Sequence, residues 1–545
     1  DTRMLVESIK RLGGTLIDQA PIDATLEIAL FNLPGNLFNQ VSQLAGVYSI
    51  QPLATNGGLR GEMSSQINSG NYGASNLAYT GYQDWLGSLS LNGESVTIAN
   101  VDSGVDDNHP DLINNMLPCT GSSCAGSSQS NHGTHTAGIM AADGASGTLD
   151  SNGFLRGLGV APSANLIEQL YSPTYTLADG MLTLMFQSWS NGAIVSGNSW
   201  GPSATPLGYD ANTRQVDVGV RDVNPDLPGD QSLNYILSIM NGGGGTSTQG
   251  TPDEAKNIFT IGSTEMQFSS GTQQTSINDI SYNSAHGPAL DGRIIPHMVA
   301  PGCYVDSTNI NSYQTMCGTS MSSPQVSGAV ALFIEYYRNL FSIDPSPAIV
   351  KAAFLPVAHD LAGFHDADNG ILGHPFDAKQ GWGRLDLSAV LDPQGDVYYF
   401  DAPQVFDNTG ETWQITLNIP DLSSDLRIML AWTDAPGHGL GGTTPAWNND
   451  LDLIVSAGGN TYLGNNFDAT TGWSQAGGTA DSMNNTEGVF LPASFGDQIT
   501  ITVSAANITS DGLPNSGDST DQDFAIVIYS GIYQYIFPLT FSAIR

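Results

Sequence analysis

The chain has 545 residues, with 15 Lys plus Arg against 52 Asp plus Glu, a formal net charge of −37, and 40% hydrophobic but only 12% charged residues. At about 100–200 residues per domain this length holds two to four domains with sizeable cores, and so low a charged fraction excludes a disordered acidic chain. Scarce cations exclude nucleic acid and an anionic membrane surface as partners, because both are bound by clustered Lys and Arg.

Residues 1–60 read as a small α+β unit. MLVESIKRLGG, ATLEIALFNLP, LFNQVSQLAG and VYSIQPL follow one another, punctuated by Gly13-Gly14 and Pro34-Gly35. Leu26, Ile28 and Leu30 alternate as one face of a strand, and Phe38, Val41 and Leu44 are spaced as one face of a helix. A Gly/Asn/Ser-rich stretch from Thr55 to about Asn76 reads as a linker. Residues 61–391 alternate short apolar strands with helical segments. The strands are VTIANV (96–101), AIVSGNSW (193–200), YILSIMN (235–241) and NIFTIGS (257–263). Near-continuous apolar strands between helices predict an α/β domain, a parallel sheet covered on both faces. Residues 392–545 change pattern: DLRIMLAWTD, DLDLIVSA, DQITITVSA and DFAIVIYSG are separated by Gly, Asn and Asp turns. They predict an all-β sandwich or jelly roll.

The acid excess is mostly Asp, and with 63 Gly it belongs to turns and loops. Oxygen-rich loops of this kind suit Ca²⁺, and equally suit a solvated acidic surface. Asp434, Asp450, Asp452 and Glu487 are the candidate ligands, and no EF-hand spacing supports them. Cys119, Cys124, Cys303 and Cys317 allow three pairings, of which the local 119–124 and 303–317 is the simplest; no zinc spacing is present. That pattern suits an oxidising, extracellular setting. No run is long and apolar enough for a membrane span, and a secretory signal, if there was one, has been removed.

Three segments carry chemistry. Asp102 ends an apolar strand in NVDSG. His132 and His135 lie in NHGTHTAGIMAA, without the Glu of a zinc motif. Ser320 opens a small-residue helix in CGTSMSSPQVSG. Singly, each has an ordinary structural explanation: a turn, a packed histidine, an N-cap. Together, in this order, they supply a hydroxyl nucleophile, an imidazole base and an orienting carboxylate. DSG, HGTH and GTSM-x-x-P make the middle zone resemble the subtilisin-like serine proteases. The resemblance implies Asp102 as orienting carboxylate, His132 as general base and Ser320 as nucleophile, with His135 structural. It also implies an oxyanion Asn at a strand end. YILSIMNGGGG offers Asn241, although Met240 stands where the family has Gly; Asn198 in SGNSWGP competes. Ser199, Trp200 and Gly201 would present backbone to an extended peptide, and Gly242–Gly245 would wall an uncharged S1 pocket for an apolar or aromatic P1 residue.

The flanks follow the same resemblance. Residues 1–60 are similar to the inhibitory propeptide of these proteases, with a junction expected between about Asn56 and Met63. Residues 392–545 are similar to the β-barrel or jelly-roll domain of some bacterial alkaline members, through LAWTDAP, NNDLDLIV, TYLGN and NNTEGVFLP. The expectation is a secreted, self-processing, monomeric serine endopeptidase with structural Ca²⁺. Its partners would be peptide substrates and its own propeptide. A catalytically impaired binding protein and a kexin-like processing protease are the alternatives.

Overall fold

The computed structural model describes residues 2–21, 27–47, 62–124, 126–150, 153–418, 425–496, 498–515 and 519–530. It divides into two compact units, residues 1–57 and 58–545. In the first, helix α1 (Thr2–Leu12) precedes an antiparallel pair, β1 (Thr15–Pro21) and β2 (Glu27–Asn32), and a short helix α2 (Phe38–Ser42) follows. Val6, Ile9 and Val41 are buried, but Phe38, expected on the same helix face as Val41, is 44% exposed. The expected propeptide junction, and most of the strand VYSIQPL, lie outside the described residues.

The second unit is built on six parallel strands: β3 (Thr97–Asp102), β4 (Asn165–Leu170), β5 (Val195–Asn198), β6 (Asn234–Ser238), β7 (Phe259–Glu265) and β8 (Met298–Cys303), in the order β4-β3-β5-β6-β7-β8. Helices α3 (Glu62–Asn68) and α4 (Tyr82–Leu89) precede the sheet. Helices α5 (Asn131–Ala141), α6 (Gly180–Ser190), α7 (Ala211–Arg221) and α8 (Thr319–Phe341) pack around it. Two apolar clusters cover the sheet. One contains Ile98, Val195, Ile236 and Ile261 with the buried face of α8, and the other Ala99, Val101, Tyr235 and Leu237 with α6 and α7. This is the predicted α/β arrangement, a parallel sheet covered on both faces. Four of its strands were legible. β4 carries Glu168 and Gln169 and β8 carries Pro301 and Gly302, so neither reads as a plain apolar run. The hairpin β9 (Val305–Asn309) and β10 (Ser312–Met316) is bracketed by the Cys303–Cys317 disulfide, and Cys119 pairs with Cys124.

The C-terminal part is an antiparallel sandwich. One sheet has the order β11 (Asp396–Asp401), β19 (Ala525–Ser530), β13 (Leu426–Ala431), β17 (Thr486–Leu491). The other has the order β12 (Thr412–Asn418), β18 (Gln498–Asn507), β14 (Asp450–Ala457), β15 (Asn460–Phe467), β16 (Ser474–Ala476). Alternate residues Leu451, Leu453 and Val455 meet Ile428, Leu430, Ile501 and Ile526 in its core. The opposite face of the first sheet, through Met429, Ala431, Val527 and Tyr529, joins the core that holds Phe333, Phe354 and Trp382. That sheet is therefore apolar on both faces, which is why residues 58–545 form one body.

The same junction corrects one expectation. Asp434 does not stand free for a cation. Its Oδ2 accepts from Lys256 Nζ at 2.5 Å and from Asn448 N–H at 3.0 Å, and its Oδ1 accepts from Asn449 N–H at 2.9 Å. Both members of the ion pair are 1% exposed. A buried carboxylate takes the nearest charge that neutralises it, and here that charge comes from the strand-preceding loop of the parallel sheet.

Candidate active site

Three elements converge at the C-terminal edge of the sheet. Asp102 is the last residue of β3 and is 2% exposed. Its Oδ1 accepts from Ser103 N–H (2.7 Å) and Ser103 Oγ (2.8 Å), and Thr136 Oγ1 donates to its Oδ2 at 3.3 Å. Helix α5 begins at Asn131 because Ser130 caps it, accepting from the N–H groups of His132 and Gly133. His132 thus sits in the first turn. Its Nδ1 lies 2.9 Å from both Asp102 oxygens, while its side chain stays 38% exposed. Burial works against the imidazolium, but the Asp102 charge and hydrogen bond outweigh it and raise the His132 pKa above its ordinary 6.5.

Ser320 is the second residue of α8. Its N–H is one of the first four of the helix, which have no intrahelical partner. Pro324 has no N–H to offer the Ser320 carbonyl four residues back. Ser199 Oγ donates to that carbonyl instead, at 2.9 Å, and binds Ser323 Oγ at 2.9 Å. The Ser320 hydroxyl donates to the Ser199 carbonyl at 3.3 Å. Among the described residues no hydrogen bond joins it to His132; catalytic bonds are often long before substrate binds.

Asn241 follows β6. Its Oδ1 accepts from Thr319 N–H at 2.9 Å and Thr319 Oγ1 at 3.1 Å, which fixes the amide against the start of α8. Its amide lies over Gly318, where an added Cβ would stand 3.2 Å from both Nδ2 and Oδ1. Asn198 is spent elsewhere: it is buried, its Nδ2 donates to Ser196, and its Oδ1 accepts from Trp200 Nε1. Met240 takes φ +72°, the left-handed region a glycine would occupy at no cost. Its side chain lies over Gly250 and approaches Gly201.

The substrate-side candidates lie together. Trp200 is buried and stacks on Tyr171 with ring centroids 4.6 Å apart, so Ser199-Trp200-Gly201 offers backbone rather than the indole. A Cβ on Gly201 would stand 2.4 Å from Thr251 O, and one on Gly242 2.0 Å from Thr248 O. One contact was not foreseen. Asp368, 55% exposed, accepts from Gly245 N–H at 2.7 Å, so a carboxylate touches the glycine run. His135 is fully buried, its Nε2 on Val305 O and Gln314 O, and burial pushes its pKa down to about 4.

In the sandwich, Asp450, Asp452 and Glu487 each keep a buried carboxylate oxygen without a hydrogen-bond partner. Burial raises all three pKa values, Asp450 to about 7, and mutual charge with Asp481 raises them further. Asp481 was missed in the sequence; Asn465 and Asn484 amides hold it at 2.7 Å each. Among the described residues no group of three or more His, Cys, Asp or Glu is placed to hold a metal ion. No described helix is long and apolar enough to cross a membrane.

The model of the subtilase family matches residues 93–383. Subtilisin of Bacillus sp. (strain TA39) is 29% identical over 278 residues, 46% of this chain and 59% of that protein. Subtilisin BL of Lederbergia lenta is 30% identical over 248 residues, 44% and 77% of the two chains. Among solved structures, Sphericase is 24% identical with a TM-score of 0.40, covering 54% of this chain and 92% of that one. The chain spans only 59% of the length of the TA39 relative. The matched span contains Asp102, His132, Asn241 and Ser320, and the chain belongs to the subtilase family.

Proposed function

We propose that the protein is a secreted serine endopeptidase that cuts peptide bonds through an acyl-enzyme on Ser320. The observation that carries this reading is the double 2.9 Å contact of His132 Nδ1 with the buried Asp102 carboxylate, beside the start of α8. Asp102 holds the imidazole as the Nδ1–H tautomer and stabilises the imidazolium. His132 Nε2 takes the Ser320 proton as Oγ attacks the carbonyl, then returns it to the leaving amine. Asn241 Nδ2 and the Ser320 N–H, at the positive end of α8, receive the oxyanion. An extended peptide would run along Ser199–Gly201. Digestion of a denatured protein by wild type, abolished in Ser320→Ala, tests the reading; equal digestion by both would refute it.

The glycine run supports broad specificity with an apolar or aromatic P1 residue. Asp368 on Gly245 favours a second reading, in which basic P1 residues are accepted at the rim as in a kexin-like enzyme. Peptide-library profiles of wild type and Asp368→Asn separate the two. Residues 1–60 would be the propeptide, 61–391 the catalytic domain and 392–545 the C-terminal β domain of a monomer that processes itself near residue 60. Ser320→Ala should then remain uncut there. The two disulfides support an oxidising, extracellular setting.

The carboxylates of the sandwich are the candidate calcium ligands. Three unpartnered buried oxygens around Asp481 are what a hard cation with oxygen ligands would satisfy. Gly464 makes room for the Glu487 side chain, since a Cβ there would stand 2.2 Å from Glu487 Oε2, the oxygen that accepts from Leu453 N–H. Asp450, Asp452, Asp481 and Glu487 would have to draw together to share an ion, because no three of the described acids are placed to hold one.

A further inference from the structure

Glu168 lies in the middle of β4, 7% exposed, with no role in the chemistry described above. In the parallel ladder it stands opposite Asn100 of β3, two residues before Asp102. Its Oε1 accepts from the backbone N–H of Val105 at 2.5 Å, across 63 residues of sequence. Val105 belongs to the turn that leaves β3 directly after Asp102.

That turn has little freedom. Gly104 takes φ +121°, and its carbonyl oxygen is 2.2 Å from where a Cβ on Gly133 would stand. Gly133 is the neighbour of His132, so the turn and the start of α5 are in backbone contact. Beyond Val105, the Asp106 N–H donates to Thr134 Oγ1 at 2.9 Å, and the Asp106 carboxylate accepts from Gln129 Nε2 and Asn311 N–H. Ser103 closes the near end on Asp102 itself. Val105 is the one backbone donor of this turn that Glu168 secures from the neighbouring strand.

We infer that Glu168 is a positioning residue for the Asp102–His132 pair, holding the turn between them from behind. The inference rests on the assignment of that pair as the orienting acid and base. Burial pushes the Glu168 pKa up to about 8, with the charges of Asp107 and Asp102 adding to it and the Val105 N–H opposing. Near neutral pH it is mostly protonated, so it accepts the Val105 bond without setting a second negative charge beside Asp102. Glutamine has the same shape and the same acceptor, and it cannot ionise.

The test uses the full chain and a fluorophosphonate probe, following the rate at which Ser320 is labelled against pH. Glu168→Gln should label within about twofold of wild type, with the same acid limb. Glu168→Leu should label about 10–100-fold more slowly, the scale of a displacement of order 1 Å in a reacting array. Its acid limb should move to lower pH, because His132 then loses part of the Asp102 contact that raises its pKa. Glu168→Thr, too short to reach Val105 and compatible with a strand, repeats the loss where Leu does not fold. Leu and Thr variants with wild-type rate and acid limb would overturn the inference, as would a tenfold loss in Glu168→Gln. A wild-type chain that never labels at Ser320 would overturn the hydrolase reading, and this inference with it.

Discussion

Replacing Lys256 by Met should destabilise the body formed by residues 58–545 far more than its single charge suggests. Lys256 Nζ donates to Asp434 Oδ2 at 2.5 Å, Ala435 O at 2.6 Å and Ala446 O at 2.9 Å, which uses all three of its protons. Met keeps the length and apolar stem but leaves two carbonyls and one carboxylate without that donor. Asp434 retains the N–H groups of Asn448 and Asn449, which soften the loss without neutralising the charge. Removing one partner of a buried pair costs about 3–5 kcal/mol. At ~2.1 cal/mol/K per residue, the unfolding entropy of so large a body is roughly 1 kcal/mol/K, so the expected fall in Tm is about 3–5 °C. Differential scanning calorimetry of the full chain measures it. The double variant Lys256→Met with Asp434→Asn should recover part of the loss, since the amide removes the unpaired buried charge and keeps an oxygen acceptor for the backbone N–H groups. A single variant that melts within about 1 °C of wild type, or a double variant worse than the single, would refute the reasoning.

Asn241→Ala should lower kcat by about 10²–10³ with little change in KM, the usual result of losing one oxyanion donor; an Asn198→Ala variant with the larger kcat loss would reverse the assignment. Activity should rise with pH through a His132 pKa above 6.5, because only the neutral imidazole takes the serine proton. An acid limb below 6 in the kcat/KM profile would contradict the Asp102 contact. The acids of the sandwich have raised folded-state pKa values, so the folded chain binds more protons than the unfolded one between about pH 4 and the Asp450 value of about 7. Chelated protein should therefore lose thermal stability as pH rises through that window, and Ca²⁺ should restore it; identical melting curves with Ca²⁺ and with chelator at pH 8 would exclude the ion.

What the sequence made legible was local. Asp102, His132 and Ser320 each sit in a short motif whose residues also build the turn or helix start that presents them. The strand DLDLIVSA alternates cleanly because one face is wet, and β14 spans the same eight residues. The unread features join distant segments. Asp434 looked like any acid in a turn, and its partner Lys256 is 178 residues away. Glu168 meets Val105, Asp368 meets Gly245, and Asp481 joins Asp450, Asp452 and Glu487 only once the sheets are stacked. Met240 looked unfit for a glycine position. The chain keeps the left-handed backbone there, and the Met side chain packs on Gly250. Electrostatic partnerships of this kind have no periodicity, so no pattern in the chain announces them.

The measurement that bears most directly on the central claim is the site of covalent labelling. Full-length protein treated with a fluorophosphonate at pH 8, digested and mapped by mass spectrometry, should carry one adduct, on Ser320. Labelling should fall by several orders of magnitude in His132→Ala, where the base is gone. An unlabelled Ser320 in folded wild-type protein, or labelling that survives His132→Ala undiminished, would contradict the account.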